Sequence, residues 1–321
     1  MITQRRLHHL LALAQHAHFG RSAQALNISQ PALTKSIQAL EAELGVTLLD
    51  RQRGAIELTT FGELVVKRSK FWLTAEDDLR REIAMLTGNN IGSLRVAIGP
   101  YPSVISGFEG AARLLAKHPN IRMMVHEASW LNIINLLNEQ AIDLGITEIS
   151  RLEKYDHFVT ETVGQHCGYF FCRPGHPLLS NTAISIEQLV KFPWVSPRIP
   201  TRIASKLPKA LDHAGSIDPA TGDLIPKIEI STPLQSLSFL KNSDAITLST
   251  LTVMEPKLNS GEVAILPIFD FQVQTNYGFV YLKNRSLPPA AIAYMQEVRA
   301  VEEAILGREA ELAKYTACGN H

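Results

Sequence analysis

The chain has 321 residues, with 31 Lys plus Arg balancing 31 Asp plus Glu, so any nucleic-acid-binding face has to be local rather than a property of the whole molecule. That length exceeds one ordinary core and implies two or three domains. The N-terminal apolar stretch is short, broken by His8, His9 and Gln15, and lacks a cleavage site, no run is long enough to cross a bilayer, and the three cysteines Cys167, Cys172 and Cys318 are too sparse for a disulfide framework. These features argue against secretion and against a membrane protein, and make the cytoplasm the expected location.

Residues 3–17 place Leu7, Leu10, Leu11, Ala14 and Ala17 on one helical face. His8, His9, His16 and His18 are expected on the surface of this region. A short helix follows over about Arg21–Leu26. Ser29 is a good N-cap for a third helix, and Pro31 fits its first turn, where a missing N–H costs nothing. That helix is expected from about Gln30 to Glu43, stopping at Gly45. Leu33, Ile37, Leu40 and Leu44 form its apolar face. The opposite face carries Pro31, Thr34, Lys35, Gln38 and Ala42, a set that offers a hydroxyl, an amide and a cation. Such groups read base edges or grip phosphates, although a solvated helix face looks the same. Residues 46–59 then read as two short strands around a basic tip with Arg51 and Arg53. The tip suits a phosphate backbone or a minor groove, or is simply a soluble turn.

The stretch Phe19–Gly62 resembles the DNA-binding domain of the LysR-type transcriptional regulators. The resemblance is carried by Ala25-Leu26-Asn27-Ile28-Ser29-Gln30-Pro31-Ala32-Leu33-Thr34-Lys35, then Ile37, Leu40-Glu41, Leu44-Gly45-Val46, Leu48, Arg51, Leu58-Thr59 and Gly62. It implies a winged helix-turn-helix that binds a double-stranded DNA operator, with Gln30, Pro31, Thr34 and Lys35 in the major groove and Arg51 and Arg53 in the wing. Together with Ser29 and Gln38 these are the candidate DNA contacts. The chain departs from the family at Leu49, where Phe is usual, at Ser22, where Ala is usual, and at Gly54, where a further Arg is common.

Thr60-Phe61-Gly62-Glu63 reads as a capping box opening a long helix to about Thr87. Val65, Trp72, Leu79 and Leu86 recur every seven residues, with Phe61, Ala75 and Ile83 between them. A heptad seam wants a partner helix. It can pack on its own chain; the resemblance implies pairing with a second subunit in a homodimer, and assembly to a homotetramer. Residues 88–92 then form a hinge.

From residue 93 strands alternate with helices, which predicts parallel sheets and an α/β effector domain. Strands are expected at 94–98, 121–126, 143–147, 169–172, 194–196, 228–231, 245–248 and 277–282. Helices are expected at 103–117 (with Ile105, Phe108, Ala112 and Leu115 inward), from about 129, at 201–213, 233–241 and 289–306. The domain plan is residues 1–60 for the winged helix-turn-helix, 61–90 for the linker helix and hinge, and 91–306 for the effector domain. Within the last, subdomain one takes 91–164 plus 276–306 and subdomain two takes 165–275. Residues 307–321 are expected to be a frayed polar tail.

Two α/β subdomains joined by two crossovers make a cleft, and ligands bind beyond the carboxyl ends of strands. This selects the loops holding Pro102, Ser103, Ser129, Trp130, Thr147, Thr201, Arg202 and Thr232. The LysR resemblance extends over this region through Asp143-Leu144-Gly145-Ile146 and Arg173-Pro174-Gly175-His176-Pro177. It implies a fold similar to periplasmic solute-binding proteins, with Ser103, Ser129, Thr147 and Thr201 at effector positions. Those hydroxyls suit helix caps equally well. Arg202 could hold an anionic effector or be merely solvated.

His166, Cys167, Cys172 and His176 could suggest a metal, but on one strand Cys167 and Cys172 point to opposite faces. No phosphate loop, HExxH or GxSxG occurs. No catalytic residue, metal or cofactor is therefore expected, beyond a small-molecule effector. The leading reading is a regulator that binds DNA and an effector, with RNA polymerase a further candidate partner. An enzyme carrying a DNA-binding module would need a convergent acid–base pair or nucleophile, and a transport solute-binding protein would need a signal sequence.

Overall fold

The computed structural model describes residues 2–50, 56–86, 92–268 and 271–318. Two compact units divide it: one holds the described residues up to 86 together with Glu139–Ala141, and the larger one holds the rest.

The first unit contains α1 (Gln4–His16), α2 (Phe19–Ala25), α3 (Gln30–Leu44), β1 (Leu49–Asp50), β2 (Glu57–Leu58) and α4 (Thr60–Leu86). Leu7, Leu10, Leu13, Leu33, Ile37, Leu40, Leu48 and Leu49 close its core. Each such side chain contributes roughly 2 kcal/mol by leaving water. The inward face of α1 differs from expectation. Leu13 and His9 are buried, whereas Ala17 is exposed and ends the helix in a left-handed conformation. His9 is buried because its Nδ1 lies 2.7 Å from Ser36 Oγ on α3. His18 lies between helices and caps α2, its Nδ1 accepting from Gly20 N at 3.0 Å. The wing strands pair antiparallel as expected, while the tip with Arg51, Arg53 and Gly54 falls outside the described residues. The helix α4 is capped by Thr59, not Thr60: Thr59 Oγ1 accepts from Gly62 N at 3.0 Å and donates to Thr47 O at 2.7 Å. Gly62 is required there, since a Cβ would lie 2.1 Å from the Leu48 carbonyl oxygen.

The α4 seam divides. Val65 and Val66 pack onto the helix-turn-helix core, whereas Phe61, Leu64, Trp72, Leu79 and Ile83 are more than half exposed. The Leu86 side chain and most of the 88–92 hinge lie outside the described residues.

The second unit has strands β3 (Ser93–Ile98), β4 (Arg122–Glu127), β5 (Leu144–Glu148), β6 (Phe158–Gly164), β7 (Cys167–Cys172), β8 (Val195–Ser196), β9 (Gly215–Ile217), β10 (Leu224–Pro226), β11 (Ile228–Glu229), β12 (Thr247–Thr250), β13 (Ala264–Ile265), β14 (Val273–Gln274) and β15 (Tyr277–Leu282). Subdomain one is a five-stranded sheet in the order β4-β3-β5-β15-β6. Its β3 pairs parallel with β4 and β5, but β15 pairs antiparallel with β5 and β6. Subdomain two centres on β7, which pairs antiparallel with β12, β13 and β14, while β8 and β11 are parallel. The sheets are therefore mixed rather than wholly parallel. The chain crosses between subdomains at β6–β7 and returns at β14–β15, and each passage lays a strand against the direction of its neighbours.

Three helices depart from expectation. Ser103–Gly107 forms a wide π turn before the helix Phe108–Lys117. The extra residue rotates the face, so Ile105, Gly110 and Leu114 are buried whereas Phe108 and Leu115 are exposed. The helix from Thr201 stops at Ala204, because Pro208 cannot continue it. The last helix does not end at Leu306 but runs Pro289–Cys318. The Asp143 carboxylate, 3% exposed as a residue, receives Arg95 and Arg285 at 2.8 and 2.7 Å and the Arg95 N–H at 2.9 Å, fixing the start of β5.

Candidate DNA-binding and effector sites

The exposed face of α3 presents Gln30, Pro31, Lys35 and Gln38. Ser29 is the N-cap, accepting from Ala32 N at 3.4 Å. Thr34 is half-buried and its hydroxyl donates to Gln30 O at 3.0 Å, so it can only accept from a base or a neighbouring donor. Among the described residues Lys35 has no carboxylate partner and its charge is available. The C-terminal end of α3 is held by Arg6–Glu43 at 2.6 Å and by Glu41, which accepts from Leu48 N at 2.8 Å. These contacts tie the recognition helix to α1 and to the wing.

In the second unit the ends of β3, β4 and β5 face Pro197–Pro200, Arg202, Ile203 and Asp223 across a cavity of about 580 Å3. Pro102, Ser129, Trp130, Thr147 and Arg202 line it. Ser103, Thr201 and Thr232 are not in its lining. Ser103 Oγ turns back to Pro100 O at 2.9 Å. Thr201 N donates to Asp223 Oδ1 at 2.9 Å. Thr232 forms a capping box with Gln235. Of these three the cap alternative holds for Thr232 alone, since the Ser103 hydroxyl turns back on its own turn and the Thr201 hydroxyl donates to Thr221 O at 2.8 Å. Ser129 does both, lining the cavity and accepting from Asn132 N at 3.4 Å.

The cleft is crossed by polar struts. Trp130 Nε1 donates to Asp223 Oδ2 at 3.0 Å, Arg202 Nη2 pairs with Glu148 Oε2 at 2.9 Å, and Tyr101 OH donates to Leu248 O at 3.3 Å. Arg151 of subdomain one donates to Thr201 of subdomain two and lies over the Trp130 ring at 5.6 Å. Arg198 is held by Asp218 at 2.8 Å and Glu229 at 2.9 Å, and these pairs raise its pKa above the ordinary arginine value, the Glu229 hydrogen bond most. Every arginine here therefore already has a carboxylate or hydroxyl partner. Asp223, Arg151 and Tyr101 were not singled out from sequence. Asp223 follows Thr221-Gly222 in what reads as an ordinary turn, and its partners are far away along the chain.

No group of three metal-ligating side chains occurs among the described residues. Burial pushes the Cys172 thiol up to about 12, against a smaller opposing effect of Arg173. Cys167 is exposed at the other end of β7. No helix among the described residues is long and apolar enough to cross a membrane.

A helix-turn-helix with an open recognition face, joined in one chain to a two-subdomain cleft, defines a ligand-responsive DNA-binding regulator. Family models agree: residues 4–63 match the bacterial regulatory helix-turn-helix protein, lysR family, and residues 87–303 match the LysR substrate binding domain. The chain belongs to the LysR family of DNA-binding transcriptional regulators. It is 30% identical over 293 residues, 90% of this chain and 93% of the relative, to the SDS degradation transcriptional activation protein of a Pseudomonas species. It is 25% identical over 310 residues, 96% of this chain and 89% of the relative, to the regulator GbpR of Azospirillum brasilense. Its fold is similar to that of a full-length OxyR point variant from Pseudomonas aeruginosa, with TM-score 0.63 and 17% identity over 93% of this chain and 95% of that one. It is also similar to full-length CbnR in complex with its target DNA, with TM-score 0.63 and 19% identity over 94% of this chain and 100% of that one.

Proposed function

We propose that this regulator works in the cytoplasm by binding alone, without catalysis or a cofactor. Gln30, Pro31, Thr34, Lys35 and Gln38 of α3 contact the operator, with Ser29 fixing the helix start and Arg51 and Arg53 serving the wing. The exposed α4 residues Phe61, Leu64, Trp72 and Leu79 support a homodimer through that helix. Pairing of such dimers into a tetramer and contact with RNA polymerase complete the reading.

The observation that carries the effector side is the Arg202–Glu148 strut across the cleft. An anionic head reaches Arg202 by taking the place of Glu148. That exchange ties ligand binding to the loss of a subdomain-to-subdomain bond, which gives the ligand a differential affinity for two arrangements. Ile199, Ile230, Leu248 and Val273 supply apolar wall beside it, and the cavity volume of about 580 Å3 lies within the usual range for organic ligands, about 300–1,000 Å3. The effector class is therefore a small amphiphile with one anionic head. The relative named for SDS degradation makes alkyl sulfates the first probes.

The test is fluorescence anisotropy on operator DNA with octyl sulfate, octanoate and octanol, each below micellar concentration. The two anions are expected to shift DNA affinity, octanol is not, and Arg202→Ala is expected to lose the response at least tenfold while binding DNA normally. A response from octanol equal to that from the anions, or an unaltered response in Arg202→Ala, overturns the proposal.

A further inference from the structure

The C-terminal helix Pro289–Cys318 is 30 residues long, so it extends about 45 Å at 1.5 Å per residue. Its first half belongs to subdomain one. Ala290, Ala291, Tyr294 and Val298 are fully buried there, and Tyr294 OH donates to Gly107 O at 2.8 Å. Its second half makes different contacts. Arg308 pairs with Glu255 and Leu312 packs on the cluster around Leu251 and Met254, all in subdomain two.

Between the halves the helix meets both crossovers. His166, on the outgoing crossover, is completely buried. Its Nε2 lies 2.8 Å from Glu302 Oε2 and its Nδ1 lies 3.0 Å from Glu309 Oε2. Glu302 and Glu309 are two turns apart, so both project from one helix face. Tyr277, on the returning crossover, donates to Glu302 Oε1 at 2.6 Å. Thr252 of subdomain two donates to Glu309 Oε1 at 3.0 Å. The crossovers are also bonded to each other, His166 N to Thr275 Oγ1 at 2.8 Å and Thr275 N to His166 O at 2.9 Å.

A neutral imidazole has one N–H and can satisfy only one of two flanking carboxylates. Both ring nitrogens lie against carboxylate oxygens, and two ionised acids are both satisfied only by the doubly protonated ring, an imidazolium clamped between them. Burial alone would pull the His166 pKa down, but the hydrogen bonds and charges of Glu302 and Glu309 outweigh it and bring it to about 9. The other titratable groups near it are the Tyr277 and Tyr169 hydroxyls, both pushed up by burial, and the Cys167 thiol on β7.

We propose that the second half of this helix is a brace fastened across the two crossovers. It holds both crossovers and subdomain two to subdomain one, with His166 as the bolt between Glu302 and Glu309, so it sets how far the cleft can open. The inference rests on the geometry of the crossovers and not on the identity of the effector.

The test is amide hydrogen exchange on the full chain, wild type against Glu309→Gln and His166→Gln. In both variants exchange at residues 164–167 and 274–277 is expected to rise at least tenfold, with strands β3 and β5 unchanged. A third variant, ending after Gly307, should show the same pattern, because it removes Arg308, Glu309 and Leu312 and leaves the first half intact. Unchanged exchange at the crossovers overturns the brace. So does a rise of equal size throughout the domain, since that reports ordinary loss of stability. Failure of alkyl sulfates to act as effectors would leave this pattern untouched.

Discussion

Removing the Asp223 carboxylate should open the cleft, and the cost can be worked from its contacts. Asp223 is 2% exposed and accepts from Trp130 Nε1 at 3.0 Å and from Thr201 N at 2.9 Å. Asp223→Ala leaves both donors without their acceptor. Hydrogen bonds to a charged group are worth about 1.5–3 kcal/mol each, and water entering from the cavity recovers part of the loss, which leaves about 3 kcal/mol. For a unit of this size each kcal/mol moves Tm by about 2–4 °C, so the effector domain should melt about 10 °C lower. Asp223→Asn keeps an acceptor and should lose roughly a third as much. Calorimetry measures the melting, and tryptophan emission follows Trp130, with Trp130→Phe as the control that identifies its share. A fall in Tm of less than about 2 °C with unshifted emission would refute Asp223 as the hub of the cleft.

Lys35→Ala should weaken DNA binding and lower the slope of log affinity against log salt by about 0.9 per subunit; an unchanged slope removes Lys35 from the phosphate contacts. Leu33 is fully buried in the helix-turn-helix core, so Leu33→Ala should cost about 3 kcal/mol, read by urea unfolding of the N-terminal unit, and a loss below about 1 kcal/mol contradicts the packing. The folded pKa of His166 lies above its unfolded value of 6.5, at about 9. Its contribution is therefore complete below pH 6.5 and is lost as the pH rises through about 9. At about 1.4 kcal/mol per pH unit the shift is worth about 3 kcal/mol, so wild-type Tm should fall between pH 7 and 10 more steeply than that of His166→Gln. Parallel profiles would deny the imidazolium clamp.

The recognition helix was legible because its signals are local: a Ser29 cap, Pro31 in the first turn, a period of 3.6 through Leu33, Ile37 and Leu40, and Gly45 at the end. The cleft loops were legible as strand ends, which brought Pro102, Ser129, Trp130, Thr147 and Arg202 into view. Ser103, Thr201 and Thr232 were drawn in by the same rule, but a hydroxyl beside a helix start serves the backbone as readily as a ligand. The struts were not legible. Trp130 and Asp223 are 93 positions apart, and nothing in either neighbourhood announces the other. The C-terminal brace was missed for a related reason. Gly307 and the polar residues after it look like a helix end, and only the distant Glu255, Thr252 and His166 give that segment something to hold. The strand Phe158–Gly164 was missed because its residues show no clean apolar–polar alternation, and its burial does not alternate either. Pro208, visible throughout, should have stopped the helix from Thr201 early.

On this reading the chain binds a specific operator through α3 and the cleft controls the binding. The most direct test is fluorescence anisotropy on DNA from upstream of its own gene and on a scrambled control, across several salt concentrations, with and without octyl sulfate. Binding at least about a thousandfold tighter on the upstream DNA, a steep salt dependence, and a shift in affinity on adding the anion that Arg202→Ala abolishes are expected. Equal affinity for both DNAs, together with no response to the anion, would contradict this reading.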